Sequence, residues 1–132
     1  MTSEQLADRA PGRGRAAAGV ARLSYPQPDV TVCTVAGDVD MVTRPALAER
    51  LRAAMGDDNR HLVIDLSAVA YFGSTGLHTL VEILDEHQGR GHLAVVLDAN
   101  ARAAASLRAT GLDKVFDLHR ELASALRACR SG

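Results

Sequence analysis

The stretch His61-Leu-Val-Ile-Asp-Leu-Ser-Ala-Val-Ala-Tyr-Phe-Gly-Ser-Thr-Gly-Leu-His-Thr-Leu-Val-Glu-Ile-Leu84 changes its period in the middle, and that change decides the fold class. Leu62, Val63, Ile64 and Leu66 form a short apolar, β-branched run, the signature of a strand covered on both faces. Leu77, Leu80, Val81 and Leu84 then follow the i, i+3, i+4, i+7 spacing of a helix stripe. Between them, Gly73-Ser74-Thr75-Gly76 lets the backbone turn sharply and sets the Ser74 and Thr75 hydroxyls at a helix N-terminus. The N–H groups of a first helical turn lack intrahelical partners and favour negative charge. A modifiable hydroxyl at that corner is a sensitive switch.

Working outward, Val30 to Ala36 reads as a β-branched strand that ends in the turn Gly37-Asp38-Val39-Asp40. Thr43 caps the next helix, Pro45 sits in its first turn, and Leu47, Leu51, Ala54 and Met55 give it an inward stripe. Beyond the Ser74 helix, Gly89 and Gly91 break the pattern before an apolar strand from His92 to Leu97. Asn100 caps an alanine-rich helix that ends at Gly111. Val115 to Leu118 reads as a last brief strand, and Leu122, Leu126 and Cys129 line a final helix. At the front, Val20 to Tyr25 reads as an edge strand closed by Pro26 and Pro28.

Strands alternating with helices imply a single α/β domain. Its sheet is small, mixed and mostly parallel, with one antiparallel edge from the first strand and about four helices packed on it. The loops after Ala36, Leu66 and Leu97 leave the carboxyl ends of parallel strands and emerge along one rim. Asp38, Asp40, Ser74, Thr75, Asp98 and Asn100 should share that rim, where open α/β sheets place their sites.

The 132 residues, 47% of them hydrophobic, suit one domain burying roughly two thirds of its unfolded surface, with no disulfide or metal needed. Residues 1–18 mix Arg9, Arg13 and Arg15 with Pro, Gly and Ala and read as a disordered basic tail, leaving 19–130 as the folded domain. A net charge of −1 provides no overall field for nucleic acid or membrane. Cys33 and Cys129 have no metal-ligand spacing and read as buried thiols. Without a long apolar segment or signal-type leader, the expected location is cytoplasmic. His61, His78, His87, His92 and His119 show no metal spacing either, and His78 shares a polar helix face with Glu82, Asp85 and Glu86.

Taken in order, Gly37-Asp-Val-Asp40 with Thr43-Arg44-Pro45, Val63-Ile-Asp-Leu-Ser67, Phe72-Gly-Ser-Thr-Gly-Leu77 and Thr110-Gly-Leu-Asp-Lys-Val-Phe116 resemble the anti-sigma factor antagonists of the STAS domain family, from about Val30 to Leu126. The resemblance implies a non-enzymatic regulator that binds an anti-sigma factor of the serine-protein kinase type and so frees a sigma factor. It implies phosphorylation at Ser74, release of the phosphorylated form, and a phosphatase as a further partner. Asp38, Asp40, Gly73, Ser74, Thr75 and Gly76 are the candidate partner-binding residues; no catalytic residue, metal or cofactor is implied. The chain departs from the family pattern at Gly73, where an aspartate is usual, and at Thr75, where a second serine is common.

An alternative is a binding or scaffold module of a signalling or transporter complex that is never phosphorylated, for which Gly73 is the best support. An enzyme with Ser74 as nucleophile is the weakest reading. No G-x-S-x-G elbow, phosphate loop or neighbouring histidine base accompanies the serine.

Overall fold

The computed structural model describes residues 20–56 and 59–131. The tail expected at residues 1–18 lies outside them. In chain order the elements are β1 (Val20–Gln27), β2 (Val30–Val39), α1 (Arg44–Gly56), β3 (His61–Phe72), α2 (Ser74–His87), β4 (Leu93–Val96), α3 (Ala101–Ala109), a 3₁₀ turn (Leu112–Lys114), β5 (Asp117–His119) and α4 (Leu122–Ser131). The strands lie in one sheet in the order β1-β2-β3-β4-β5. β1 is antiparallel to β2, and the other neighbours pair in parallel, as the sequence pattern implies.

Because each right-handed crossover steps the same way, α1, α2 and α3 pack on one face of the sheet. Alternate strand residues serve the two faces. Cys33, Val35, Leu62, Ile64 and Val95 join the larger core with Leu51, Leu80, Ile83 and Leu107. Val30, Val32, Val63, Ala94 and Val96 point the other way and are covered by Ala125 and Cys129 of α4. Both cysteines are free, and they sit in different cores on opposite faces. Burial pushes the Cys33 thiol up to about 12 and that of Cys129 to about 11. Both are inert thiols at neutral pH.

Several boundaries differ from the sequence pattern, each for a local reason. β1 runs through Pro26 to Gln27, because the register shifts between Ser24 and Gln27 and a proline on a bulged edge strand removes no ladder bond. β2 continues through Gly37 and Asp38 to Val39 where a turn was expected. Gly37 takes φ +83, and the register slips there before Asp38 pairs with Tyr71. β3 accordingly extends to Phe72, well past Leu66. On α2 the buried line is Gly76, Thr79, Leu80, Ile83 and His87, whereas Val81 is 40% exposed and Leu77 and Leu84 only flank the core. The last strand is Asp117–His119, two residues later than expected, because Gly111 at φ +78 opens a 3₁₀ turn that uses Leu112 to Lys114. No described helix is long and apolar enough to cross a membrane.

Candidate functional site

The β2–α1 loop and the start of α2 meet at the carboxyl rim of the sheet. What holds the first is a polar knot. Asp40 Oδ1 accepts the backbone N–H groups of Val42 and Thr43, each at 3.0 Å, and the Thr43 hydroxyl at 3.1 Å. Thr43 Oγ1 in turn accepts the Asp40 N–H at 3.0 Å, and its single proton is shared between Asp40 Oδ1 and the nearer Asp38 carbonyl at 2.8 Å. Thr43 therefore ties the loop where the sequence suggested a helix cap. The Thr43 N–H above all, helped by the Thr43 hydroxyl and the Val42 N–H, holds the Asp40 carboxyl below its ordinary value, against an opposing effect of desolvation that is second in size to the Thr43 N–H. The Asp38 carboxylate makes no hydrogen bond among the described residues.

By tying down their neighbours, these bonds force Met41 and Val42 outward, 82% and 86% exposed. Apolar side chains left bare at a loop fixed on both sides have no role in the core.

Across from them, Gly73 precedes α2 in extended conformation and offers no side-chain cap. Ser74 is thus the first helical residue, not the N-cap. Its side chain is exposed, and its hydroxyl has no hydrogen-bond partner among the described residues. Thr75 is half-buried and contributes its carbonyl to the Thr79 hydroxyl at 2.8 Å. The two glycines have different reasons. A Cβ on Gly76 would stand 2.5 Å from the ring of Phe72, which is 5% exposed, so the helix can sit on the end of β3 only through a bare backbone. A Cβ on Gly73 would meet the Tyr71 hydroxyl at 2.5 Å, but that ring is 52% exposed and can swing away.

The strand end that carries this corner is anchored from behind. Asn100 donates to the carbonyls of Leu66 at 2.8 Å and Val69 at 2.9 Å, while its own oxygen caps α3 through the Ala103 N–H. Ser106 reaches the Phe72 carbonyl at 3.0 Å. α1 and α2 are cross-linked by Arg44, which ion-pairs with Glu82 and donates to the Thr79 hydroxyl, and by Arg52, which grips Glu86 with both ends of its fork.

Between the two segments lies an open groove of about 460 Å³, lined by Met41, Arg44, Ser74, Thr75 and His78. Of the residues expected at the rim, Ser74 and Thr75 line it. Asp38 and Asp40 build the loop beside it, and Asn100 is spent inward on β3. Met41, Val42, Arg44 and His78 were not among the candidates. The signal of Met41 and Val42 was an apolar pair inside a turn, outside any periodic stripe; Arg44 and His78 carried none beyond their places on polar helix faces. No group of three or more acidic, histidine or cysteine side chains that could hold a metal occurs among the described residues. A groove with a bare hydroxyl, one exposed apolar side chain in Met41 and a tethered guanidinium, beside exposed Val42, is suited to docking another protein surface.

The STAS domain family model matches residues 24–125. The anti-sigma-F factor antagonist RsfB of Mycobacterium tuberculosis is 35% identical over 103 residues, covering 78% of this chain and 84% of its own length. Among solved structures, an anti-sigma factor antagonist from Mycobacterium paratuberculosis superposes with a TM-score of 0.77 at 37% identity, covering 84% of this chain and 93% of that one. A STAS domain protein described as an anti-sigma-factor antagonist, from Planctomyces limnophilus, shares the fold with a TM-score of 0.72 at 24% identity, over 83% of this chain and 96% of its own.

Proposed function

The chain belongs to the STAS domain family, among its anti-sigma factor antagonists, and on that premise we propose that it captures an anti-sigma factor of the serine-protein kinase type and frees a sigma factor. The docking surface is the Met41–Ser74 groove, and the activity is binding, with no chemistry by this chain. Phosphorylation of Ser74 by the captured kinase ends the complex, and a phosphatase resets it. The observation that carries this reading is the Ser74 hydroxyl, exposed and without a hydrogen-bond partner among the described residues, in a groove that bare Met41 also lines, with exposed Val42 next to it in the chain.

Phosphate at Ser74 would add about −1.5 to −2 charges at neutral pH. A helix N-terminus favours a nearby anion by about 0.3 to 1 kcal/mol, so the fold tolerates the modification. A partner surface fitted to an uncharged hydroxyl and to apolar side chains does not. The dianion must be stripped of water there, and like-charge contacts cost several kcal/mol. At about 1.4 kcal/mol per tenfold, release by roughly two to three orders of magnitude needs no rearrangement of the chain.

Incubation of the purified chain with the anti-sigma kinase of its host and ATP tests this reading. The expected results are one phosphate at Ser74, loss of the complex, and a Ser74→Ala variant that binds but is not labelled. Labelling of Thr75 alone would move the switch by one residue and refute the assignment. Gly73 favours a second reading, a scaffold module that binds by the same groove without modification. In that case the partner binds equally well before and after ATP.

A further inference from the structure

At the other, amino end of the parallel strands, a cavity of about 230 Å³ opens between the β1–β2 turn and the end of α4. Its walls include Gln27, Asp29, Arg60, His61, Cys129 and Arg130. His61 is 6% exposed, and its ring is fixed by the backbone N–H of His92, which donates to Nδ1 at 2.9 Å. A neutral imidazole has one N–H and one lone pair, so with Nδ1 accepting, the proton resides on Nε2. Facing Nε2 at 3.2 Å is Arg60 Nη2, and a guanidinium only donates. Two donors are aimed at each other, and the buried Nε2–H has no acceptor among the described residues.

A second proton does not relieve this, because it would face the His92 N–H. Burial, and after it the Arg60 charge, hold His61 below the usual histidine value; the Asp29 carboxylate pulls the other way and His92 adds a small lowering effect. Gln27 spends its amide N–H on the Leu126 carbonyl at 3.2 Å. Buried donors without acceptors are rare in folded chains, and each calls for a missing group.

We propose that this cavity binds a small oxyanion, a phosphate or carboxylate group, that accepts the His61 Nε2–H and pairs with the guanidiniums of Arg60 and Arg130. Arg60 has a further interaction of its own, so the His61 donor and Arg130 beside it are the principal anion-binding groups. The two arginines against Asp29 leave the wall a formal charge of +1 while His61 is neutral. The volume is below the roughly 300–1,000 Å³ of sites for drug-sized ligands, which limits the occupant to a free anion or a short organic acid. The site is at the far end of the strands from Ser74 and is independent of the antagonist reading.

The test is an NMR titration of the full chain with sodium phosphate and, separately, sodium acetate, against sodium chloride at matched ionic strength. A saturable shift of the His61 ring and its Nε2–H is expected with at least one of the two oxyanions. Response to phosphate alone identifies a tetrahedral group, and response to acetate alone a planar one. The bound anion should raise the apparent pKa of His61, which titrates in the field of Arg60, Arg130, Asp29, His87 and His92, because a nearby negative charge favours the imidazolium. Arg130→Gln, at an exposed position, should weaken binding by roughly tenfold or more and leave the melting temperature unchanged. Absence of any saturable shift, an equal response to chloride, or undiminished binding by Arg130→Gln would overturn the proposal.

Discussion

Asp40 and Ser74 occupy equivalent places, each a polar residue where a parallel strand gives way to a helix, yet the fold treats them in opposite ways. The Asp40 carboxylate accepts three hydrogen bonds within its own loop, whereas the Ser74 hydroxyl makes none among the described residues. A residue the fold has already used is a poor candidate for a partner, and one it leaves idle at a groove is a good one. Asp40 still matters to recognition, indirectly, because its bonds hold Met41 and Val42 out in water.

From this contrast, Ser74→Asp should have the largest effect of any single change at the rim and leave the fold alone. Affinity for the anti-sigma factor should fall by roughly two to three orders of magnitude in a calorimetric titration, with the melting curve superimposed on that of the parent. Equal affinity would break the contrast at its stronger end.

The paired glycines sharpen it next. Gly76→Ala should cost about 1 to 3 kcal/mol of stability in urea unfolding, because its methyl group forces the buried Phe72 ring to move. Gly73→Ala should cost far less, since only the exposed Tyr71 hydroxyl must give way. Equal losses would show that the two ends of this corner are not packed as described.

Asp40→Ala should lower the melting temperature modestly at neutral pH and weaken binding in step with loosening of the loop. The carboxyl is held below its unfolded value, so its contribution is present above about pH 4 and fades as pH falls through the folded value. Melting temperatures of parent and variant should therefore converge in acid. A gap that persists at low pH would mean the loop depends on something other than the carboxylate charge.

The smallest effect is expected at Arg44. Its ion pair with Glu82 is partly exposed, and such pairs contribute about 0.2 to 1 kcal/mol. Arg44→Ala should lose stability within that range by chemical denaturation. A larger loss would identify the α1–α2 cross-link as a main support of the groove.

Much of this architecture was legible in the sequence. The change from a continuous apolar run to a 3.6-residue stripe gave the crossovers, Asn100 announced its own cap, and the Leu47, Leu51, Ala54 and Met55 stripe is buried as spaced. The misses share a physical cause. β3 beyond Leu66 has left β4 behind and pairs only with β2, so the continuous apolar run that marks a two-sided strand stops before the strand does. On α2 the inward line includes Gly76 and Thr79, small or polar residues that a search for large apolar side chains passes over. Gly76 lies inside because of the Phe72 ring, and Thr79 through its bond to Arg44. At the site, the sequence marked Ser74 but not Met41 and Val42, since what made them interesting was exposure, which depends on bonds between Asp40 and Thr43 that no periodicity reports.

The strand order follows the chain from one edge of the sheet to the other, so no strand has to be inserted between two already in place. Synthesis from the N-terminus can therefore add strands one by one to an open edge, beginning from the β1–β2 hairpin. The helices of the larger core arrive between strands and cover their face as it grows. The opposite face has no such cover until the last helix is made. A chain halted after His119 would hold all five strands and still present Val30, Val32, Val63 and Val96 to water. The final ten-residue helix is thus the element that turns an adhesive half-built sheet into a protein that can be left alone in a crowded cell.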